Sequence, residues 1–169
     1  MARSKTIGLV FEAWSDLDRV VANVGDDDML TQMDGGSAFA WTIGHVTNMV
    51  DAWINVRFQN RAPHPLIAHS RFRMGETGAA EDWPAIKAGV REVREIAREY
   101  LQGLAEQDLD AAVPYDGSLA ILRGEQLTLR YALLRVAAHH YYHIGEIAVK
   151  LERLGHDVGG YPGPLAECI

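Results

Sequence analysis

The spacing of apolar residues restricts the fold of this chain more than any other feature of the sequence. Four long segments carry apolar side chains at every third or fourth position, which is the spacing of one helix face. In the first segment, Val10, Trp14 and Leu17 form such a stripe. The segments cover residues 6–24, 37–58, 82–104 and 128–155. Four amphipathic helices predict an all-α four-helix bundle, because each helix must bury its stripe against another helix.

Local signals mark the ends of several of these helices. Ser37 is a good N-cap for the second helix, and Asp82 followed by Pro84 is typical of a helix start. We expect the fourth helix to begin at Thr128 and to end at Gly155, because glycine favours the residue after a C-cap.

Two stretches lie outside the helical pattern. Residues 113–127 alternate apolar and polar side chains around two glycines, which predicts either a small hairpin or an irregular loop. Residues 59–81 form a loop whose length is typical of functional or mobile segments, so we expect a lid. We expect the loop histidines, His64 and His69, to face solvent.

Composition favours a single globular domain that does not bind nucleic acid. With 169 residues, 48% of them hydrophobic, the chain can bury one core, and we expect a single domain over residues 1–169. The formal charge of -7 argues against a nucleic-acid partner, because phosphate binding needs clustered Lys and Arg.

The sequence also argues against disulfides, targeting segments and membrane spans. Cys168 is the single cysteine, so neither an internal disulfide nor a cysteine-based zinc site can form. Glu12 and Asp16 interrupt the N-terminal apolar run, which therefore does not resemble a signal peptide. No stretch approaches the roughly 20 apolar residues of a membrane span. We expect a cytoplasmic protein.

Three of the seven histidines lie close together on the fourth predicted helix, at His139, His140 and His143. His139 and His143 are four residues apart and share a face, which is the helical spacing of two zinc ligands. His140 and His143 are three apart, and the apolar periodicity favours this second pair. Both pairs remain open on spacing alone.

A third ligand must come from another helix if the site is to hold a metal ion. His45 is the other histidine within a predicted helix, and it lies on an inward-facing line. The candidate metal site is therefore His45, His139 and His143. Buried structural histidines without metal are the equal alternative. Glu146 is the candidate catalytic residue, since it could accept the second N–H of His143 or act as a base, although it could also form a surface ion pair with Lys150.

The layout of these motifs resembles the DinB-like superfamily. The resemblance covers the helix order, the LERLG sequence that closes the last helix, and two motifs. The first motif is Gly44-His45 early in the second helix, and the second is H-x-x-x-H-x-G-[Q/E] at His139, His143, Gly145 and Glu146. This resemblance implies a four-helix bundle that binds zinc or nickel through His45, His139 and His143, with His140 outside the ligand set. It also implies a homodimer.

The resemblance further implies a metal-dependent enzyme acting on a small-molecule substrate. The family includes S-transferases that use low-molecular-weight thiols, so a thiol-dependent transferase or a hydrolase is expected, with such a thiol as a possible co-substrate. An open metal position lowers the pKa of a bound thiol or water. The alternative is a non-catalytic bundle that binds metal or a small ligand. Many members read H-x-x-H-H-R-G-Q in the last helix. In this chain Tyr142 replaces the middle histidine, Ile144 the arginine and Glu146 the glutamine.

Overall fold

The computed structural model of the chain describes residues 4–33, 35–117 and 119–168. Its long helices are α1 (Lys5–Val20), α2 (Phe39–Val50), α3 (Trp83–Gln102) and α4 (Leu129–Arg153). A π-helix over Asp51–Phe58 continues α2, and short 3-10 turns cover Asp28–Leu30, Ser70–Phe72, Glu106–Asp110, Ala120–Leu122 and Ala166–Cys168. Strands β1 (Ala112–Pro114) and β2 (Gln126–Thr128) pair antiparallel as a small hairpin. The predicted four-helix bundle is confirmed.

Polar side chains cap the first turn of three long helices. Ser4, Asp82 and Thr128 each accept a hydrogen bond from a backbone N–H, at 3.2, 2.9 and 3.2 Å respectively. Such caps stabilise a helix by about 1 kcal/mol because the first N–H groups have no partner within the helix. Gly155 follows the end of α4 with a φ of 80°, so the predicted start and end of this helix are confirmed.

Two helix ends differ from the sequence-based expectation. α1 ends at Val20 rather than at residue 24, because the N–H of Ala22 bonds to the carbonyl of Arg19 three residues back and tightens the chain into a turn. α2 begins at Phe39 with Ala38 as its N-cap, so the prediction that Ser37 caps this helix is wrong.

The helices surround one large apolar core and leave one side of the bundle less tightly closed. α4 packs against α1 and α2, and α2 also packs against α3, whereas the backbones of α1 and α3 lie further apart and these helices meet through side chains such as Arg94 with Asp18. A second, smaller apolar cluster of Trp53, Tyr115, Leu127 and Ala132 lies beside the hairpin. No helix in the described part of the chain is both long and apolar enough to cross a bilayer.

The loop over residues 59–82 is anchored along α2 through its backbone. Three side chains of α2 donate hydrogen bonds to loop carbonyls, and no loop side chain takes part in these bonds. The pairs are Trp41 Nε1 with Arg71 O at 2.5 Å, His45 Nδ1 with Phe72 O at 2.7 Å, and Asn48 Nδ2 with Ile67 O at 2.8 Å. The segment expected to be a lid is therefore a wall of the bundle beside α2.

Both loop histidines accept hydrogen bonds from the loop backbone, but only one of them is largely buried. His64 is largely buried, and its Nδ1 accepts hydrogen bonds from the backbone N–H groups of Leu66 and Ile67, at 3.3 and 3.1 Å. Its Nε2 lies 3.1 Å from Glu92. The expectation that His64 faces solvent is wrong, because this side chain organises the loop backbone. His69 is exposed, as expected, and its Nδ1 accepts a hydrogen bond from the Arg71 N–H at 3.2 Å, which caps the turn over Ser70–Phe72.

Two motif glycines differ in the space around them. A Cβ on Gly44 would lie 2.5 Å from the Phe72 ring, so the absence of a side chain lets the loop approach α2 next to His45. A Cβ on Gly145 would meet the Tyr161 hydroxyl at 3.6 Å, which is an ordinary contact. Gly44 is therefore required by packing, and Gly145 is not.

Alanine at Gly44 should lower the free energy of unfolding by about 1–3 kcal/mol, because the buried Phe72 ring must move. Alanine at Gly145 is the matched control, and it should leave stability unchanged or raise it by up to about 1 kcal/mol through helix propensity. Urea denaturation of both variants measures the difference. Equal stabilisation by both substitutions would contradict the close approach of Phe72 to α2.

Candidate metal centre

Three histidines from two helices meet in the interior of the bundle. His45 comes from α2, and His139 and His143 come from successive turns of α4. One nitrogen from each ring can be chosen so that all three lie within 4.8 Å of one another. Their ring centroids are 4.7 to 5.1 Å apart. The packing of α2 on α4 thus brings His45 together with histidines that lie 94 and 98 positions later in the sequence.

The spacing of the two histidines on α4 fits a shared metal ion. Nε2 of His139 and Nε2 of His143 are 3.2 Å apart. Two nitrogens bound to a tetrahedral zinc ion at about 2.0–2.1 Å would be about 3.3 Å apart. Without an ion, the same distance allows one ring to donate a hydrogen bond to the other. Three imidazole nitrogens are a suitable donor set for zinc, nickel or copper.

His45 is held in position by a hydrogen bond and by an aromatic neighbour. Its Nδ1 lies 2.7 Å from the carbonyl oxygen of Phe72. A carbonyl can only accept, so Nδ1 carries the proton and the lone pair of this ring is on Nε2. Trp41 stacks on the ring, with centroids 4.8 Å apart and planes within 8° of parallel. These contacts determine both the tautomer and the orientation of His45.

Glu146 determines the tautomer and the orientation of His143. Nδ1 of His143 donates to Glu146 Oε2 at 2.9 Å, and Glu146 Oε1 accepts from Lys150. Lys150 in turn donates to the backbone carbonyl of Ser37 at 3.0 Å. The hydrogen bond from His143, together with the one from Lys150, lowers the pKa of Glu146 to about 2. Glu146 is therefore an ionised acceptor. It accepts the His143 N–H and also pairs with Lys150, so both contacts that the sequence offered as alternatives are present.

His139 lacks a comparable partner. Its Nδ1 is buried and has no hydrogen-bond acceptor among the residues that the structure describes. Burial lowers the pKa of His139 to about 3, and the nearby His143, His45 and Arg135 act in the same direction. Burial also lowers the pKa of His45. Both rings are therefore neutral near pH 7, which is the protonation state that binds metal.

Within the described ranges, no other histidine, cysteine, aspartate or glutamate joins the three-histidine cluster. Tyr142 lies at its edge, with its ring perpendicular to that of His143 and 4.9 Å away, and its side chain is 73% exposed. Arg135 is exposed one turn before His139. A site with three protein ligands leaves a position for a substrate or water, as in catalytic zinc sites.

His140 lies outside the cluster, in the apolar core. It is fully buried, and its Nδ1 lies 2.8 Å from the carbonyl oxygen of Val136, one turn earlier in α4. Burial lowers its pKa well below the usual value, so the ring is neutral. Of the two pairs that spacing left open, the structure brings together His139 and His143.

Sequence reasoning missed three contributors to the site. The Phe72 carbonyl has no sequence signal, because every residue carries a carbonyl group. Trp41 lies one turn before His45, so its helical spacing could have placed it beside the histidine. Lys150 was noted only as a partner of Glu146, and its bond to Ser37 joins α4 to the start of α2.

Comparison with known proteins agrees with this architecture. A family model described as the DinB superfamily matches residues 11–147. No curated protein sequence gives a significant match. Among solved structures, YfiT from Bacillus subtilis, described as "a probable metal-dependent hydrolase with an unusual four-helix bundle topology", superimposes with a TM-score of 0.61. The two sequences are 19% identical, and the match covers 90% of this chain and 87% of YfiT. Because the family model spans most of its length, this chain belongs to the DinB superfamily.

Proposed function

We propose that this protein binds a divalent transition metal through His45, His139 and His143 and acts as a metal-dependent enzyme on a small molecule. The observation that carries the proposal is the convergence of three imidazoles, two of them kept neutral by burial, with no fourth protein donor among the described residues. Zinc and nickel are the proposed metals, because both accept imidazole nitrogen. The description of YfiT as a probable metal-dependent hydrolase also supports this proposal.

The proposed reaction class is hydrolysis or transfer of a low-molecular-weight thiol. A divalent ion with three neutral ligands supplies Lewis acidity, which lowers the pKa of water or a thiol. The protein's own contribution is to position the ligands. The Phe72 carbonyl and the Glu146 carboxylate hold the tautomers of His45 and His143 in which Nε2 is free. We propose that Glu146 acts through His143 as a positioning residue.

Two alternative functions require different surroundings for the three histidines. A non-catalytic metal- or ligand-binding bundle would need a fourth protein donor to close the site, and the described residues supply none. A purely structural cluster needs no metal ion, because His139 Nε2 can donate to His143 Nε2 at 3.2 Å, and the buried Nδ1 of His139 lacks a partner among the described residues with or without an ion. The convergence of three imidazole nitrogens supports the open three-histidine site, and metal analysis separates it from the structural cluster. A homodimer and a single domain over residues 1–169 remain proposals from the family resemblance and from composition.

Untagged protein purified without chelators should contain close to one transition-metal ion per chain. The variants His45→Ala and His139→Ala should lose most of it, because two imidazoles bind weakly compared with three. His156→Ala is the matched control, since this histidine follows the end of α4 and lies outside the cluster, and it should retain the ion. Elemental analysis by mass spectrometry measures all four proteins. Metal-free wild type, or full retention by both cluster variants, would contradict the proposed site.

Glu146→Gln should weaken metal affinity by about 10- to 100-fold, because the neutral amide is a poorer acceptor for the His143 N–H. Glu152→Gln removes the same charge from an exposed position on α4 and should have no effect. Competition with a chelator of known affinity measures both dissociation constants. Equal affinities for the two variants would show that Glu146 does not position His143.

The metal-loaded protein should either hydrolyse activated esters or consume a low-molecular-weight thiol in the presence of an electrophile. His139→Ala should be inactive in the same assay, whereas His156→Ala should match the wild type, because only the former removes a proposed ligand. Release of a chromophore and loss of free thiol measure the two reactions. Fully loaded protein that activates neither water nor thiol over a broad substrate panel would favour the non-catalytic alternative.

A further inference from the structure

A groove opens between α1 and α3, on the side of the bundle where the backbones of these two helices lie further apart. Its cavity volume is about 530 Å³, which lies within the range of about 300–1,000 Å³ typical of small-molecule sites. None of the three clustered histidines lines it. The groove is therefore a separate feature from the candidate metal centre.

Apolar side chains form much of the groove wall. They come from the end of α1 and the segment after it, from α2 and from the first half of α3, and they are Val21, Val24, Met29, Ile43, Trp83 and Val90. A wall of this kind favours the apolar part of a ligand, since it removes that part from water.

Positive charge exceeds negative charge around the same groove. The cations Lys87, Arg91, Arg94 and Arg98 outnumber the carboxylates Asp18, Asp26 and Glu95. Two of these carboxylates already bind groove residues. Asp18 accepts a hydrogen bond from Arg94 Nη1 at 2.7 Å, and Asp26 accepts one from Trp83 Nε1 at 3.0 Å. The charge balance favours an anionic ligand.

Arg94 gives the groove a specific chemical preference. This residue is only 8% exposed, and its Nε and Nη2 are buried without a hydrogen-bond partner among the described residues. Nε and Nη2 form the edge of a guanidinium that can hold a carboxylate through two parallel hydrogen bonds. Asp18, the acceptor for the other nitrogen, is itself largely exposed. The buried edge of Arg94 therefore has no acceptor among the described residues, and the same guanidinium lies 5.7 Å from the centre of the Trp14 ring.

We propose that the groove between α1 and α3 is a second ligand site, which binds a small molecule with a carboxylate and an apolar body. The carboxylate is drawn by Arg94 within the groove and by Arg91 at its edge, and the apolar body contacts Met29 and Ile43. Because Nε and Nη2 of Arg94 are shielded from solvent in the free protein, their contact with the carboxylate requires a side-chain rotation on binding. Such rotations are common at binding surfaces.

A titration with octanoate tests this proposal on protein labelled with ¹³C in its methionine methyl groups. Met29 lines the groove, whereas Met49 lies one turn after His45 and Met74 is exposed in the loop. Octanoate should shift the Met29 resonance in a saturable manner and leave Met49 and Met74 unchanged. Acetate, which lacks the apolar body, and 1-octanol, which lacks the charge, should each bind at least about tenfold more weakly. The same result is expected after metal removal, so it does not depend on the proposed enzyme function.

Three variants separate groove binding from general attraction to the protein. Arg91→Gln should weaken octanoate binding by about three- to fivefold, as expected for the loss of one exposed charge pair. Arg123→Gln removes the same charge from an exposed position outside the groove and should leave binding unchanged. Ala22→Trp should abolish binding, since Ala22 lines the groove and is exposed, so the larger ring fills the cavity without entering the core.

Each of three results would overturn the proposal. The first is a Met29 resonance that millimolar octanoate does not move. The second is equal binding of octanoate and 1-octanol, or equal binding by Arg91→Gln and Arg123→Gln. The third is a Met29 shift that depends on protein concentration and that octanoate cannot reverse, which would show that a second copy of the chain occupies the groove.

Discussion

The hydrogen bond between His45 Nδ1 and the carbonyl oxygen of Phe72, 2.7 Å long, links the fold of this protein to its candidate chemistry. It anchors the loop over residues 59–82 against α2, and it leaves the lone pair of His45 on the nitrogen that faces α4. Gly44 makes the bond possible, because a side chain at that position would collide with the Phe72 ring. The long loop thus determines the orientation of one proposed ligand without contributing a side chain to the cluster.

Burial keeps two of the three imidazoles neutral, and polar contacts orient the third. Burial lowers the pKa values of His45 and His139, which keeps these rings neutral. Glu146 and Lys150 form a short polar chain from His143 to the backbone at Ser37, which joins the site to the start of α2. Charge is therefore placed behind the ligands, on the side away from their meeting point. This arrangement leaves the proposed ion's charge available to a bound substrate.

Much of the fold could be predicted from the sequence, whereas the surroundings of the site could not. Helical periodicity located all four helices, because each has one apolar face, and the cap at Asp82 and the stop at Gly155 have clear local causes. The motif spacing on α4 and the family resemblance together selected His139 and His143, and the structure places them beside His45. The structural role of His64 was missed, because its partners are backbone groups of its own loop. The groove between α1 and α3 was missed as well, since periodicity does not show how closely two helices pack.

The most direct test of the central claim is X-ray absorption spectroscopy at the metal edge of the zinc-loaded protein. The account predicts a coordination sphere of light atoms at about 2.0–2.1 Å that includes three imidazoles, with no fourth imidazole and no sulfur. The multiple-scattering pattern of imidazole counts the histidines directly. Fewer than three imidazoles, a fourth imidazole or a sulfur ligand would contradict the open three-histidine site.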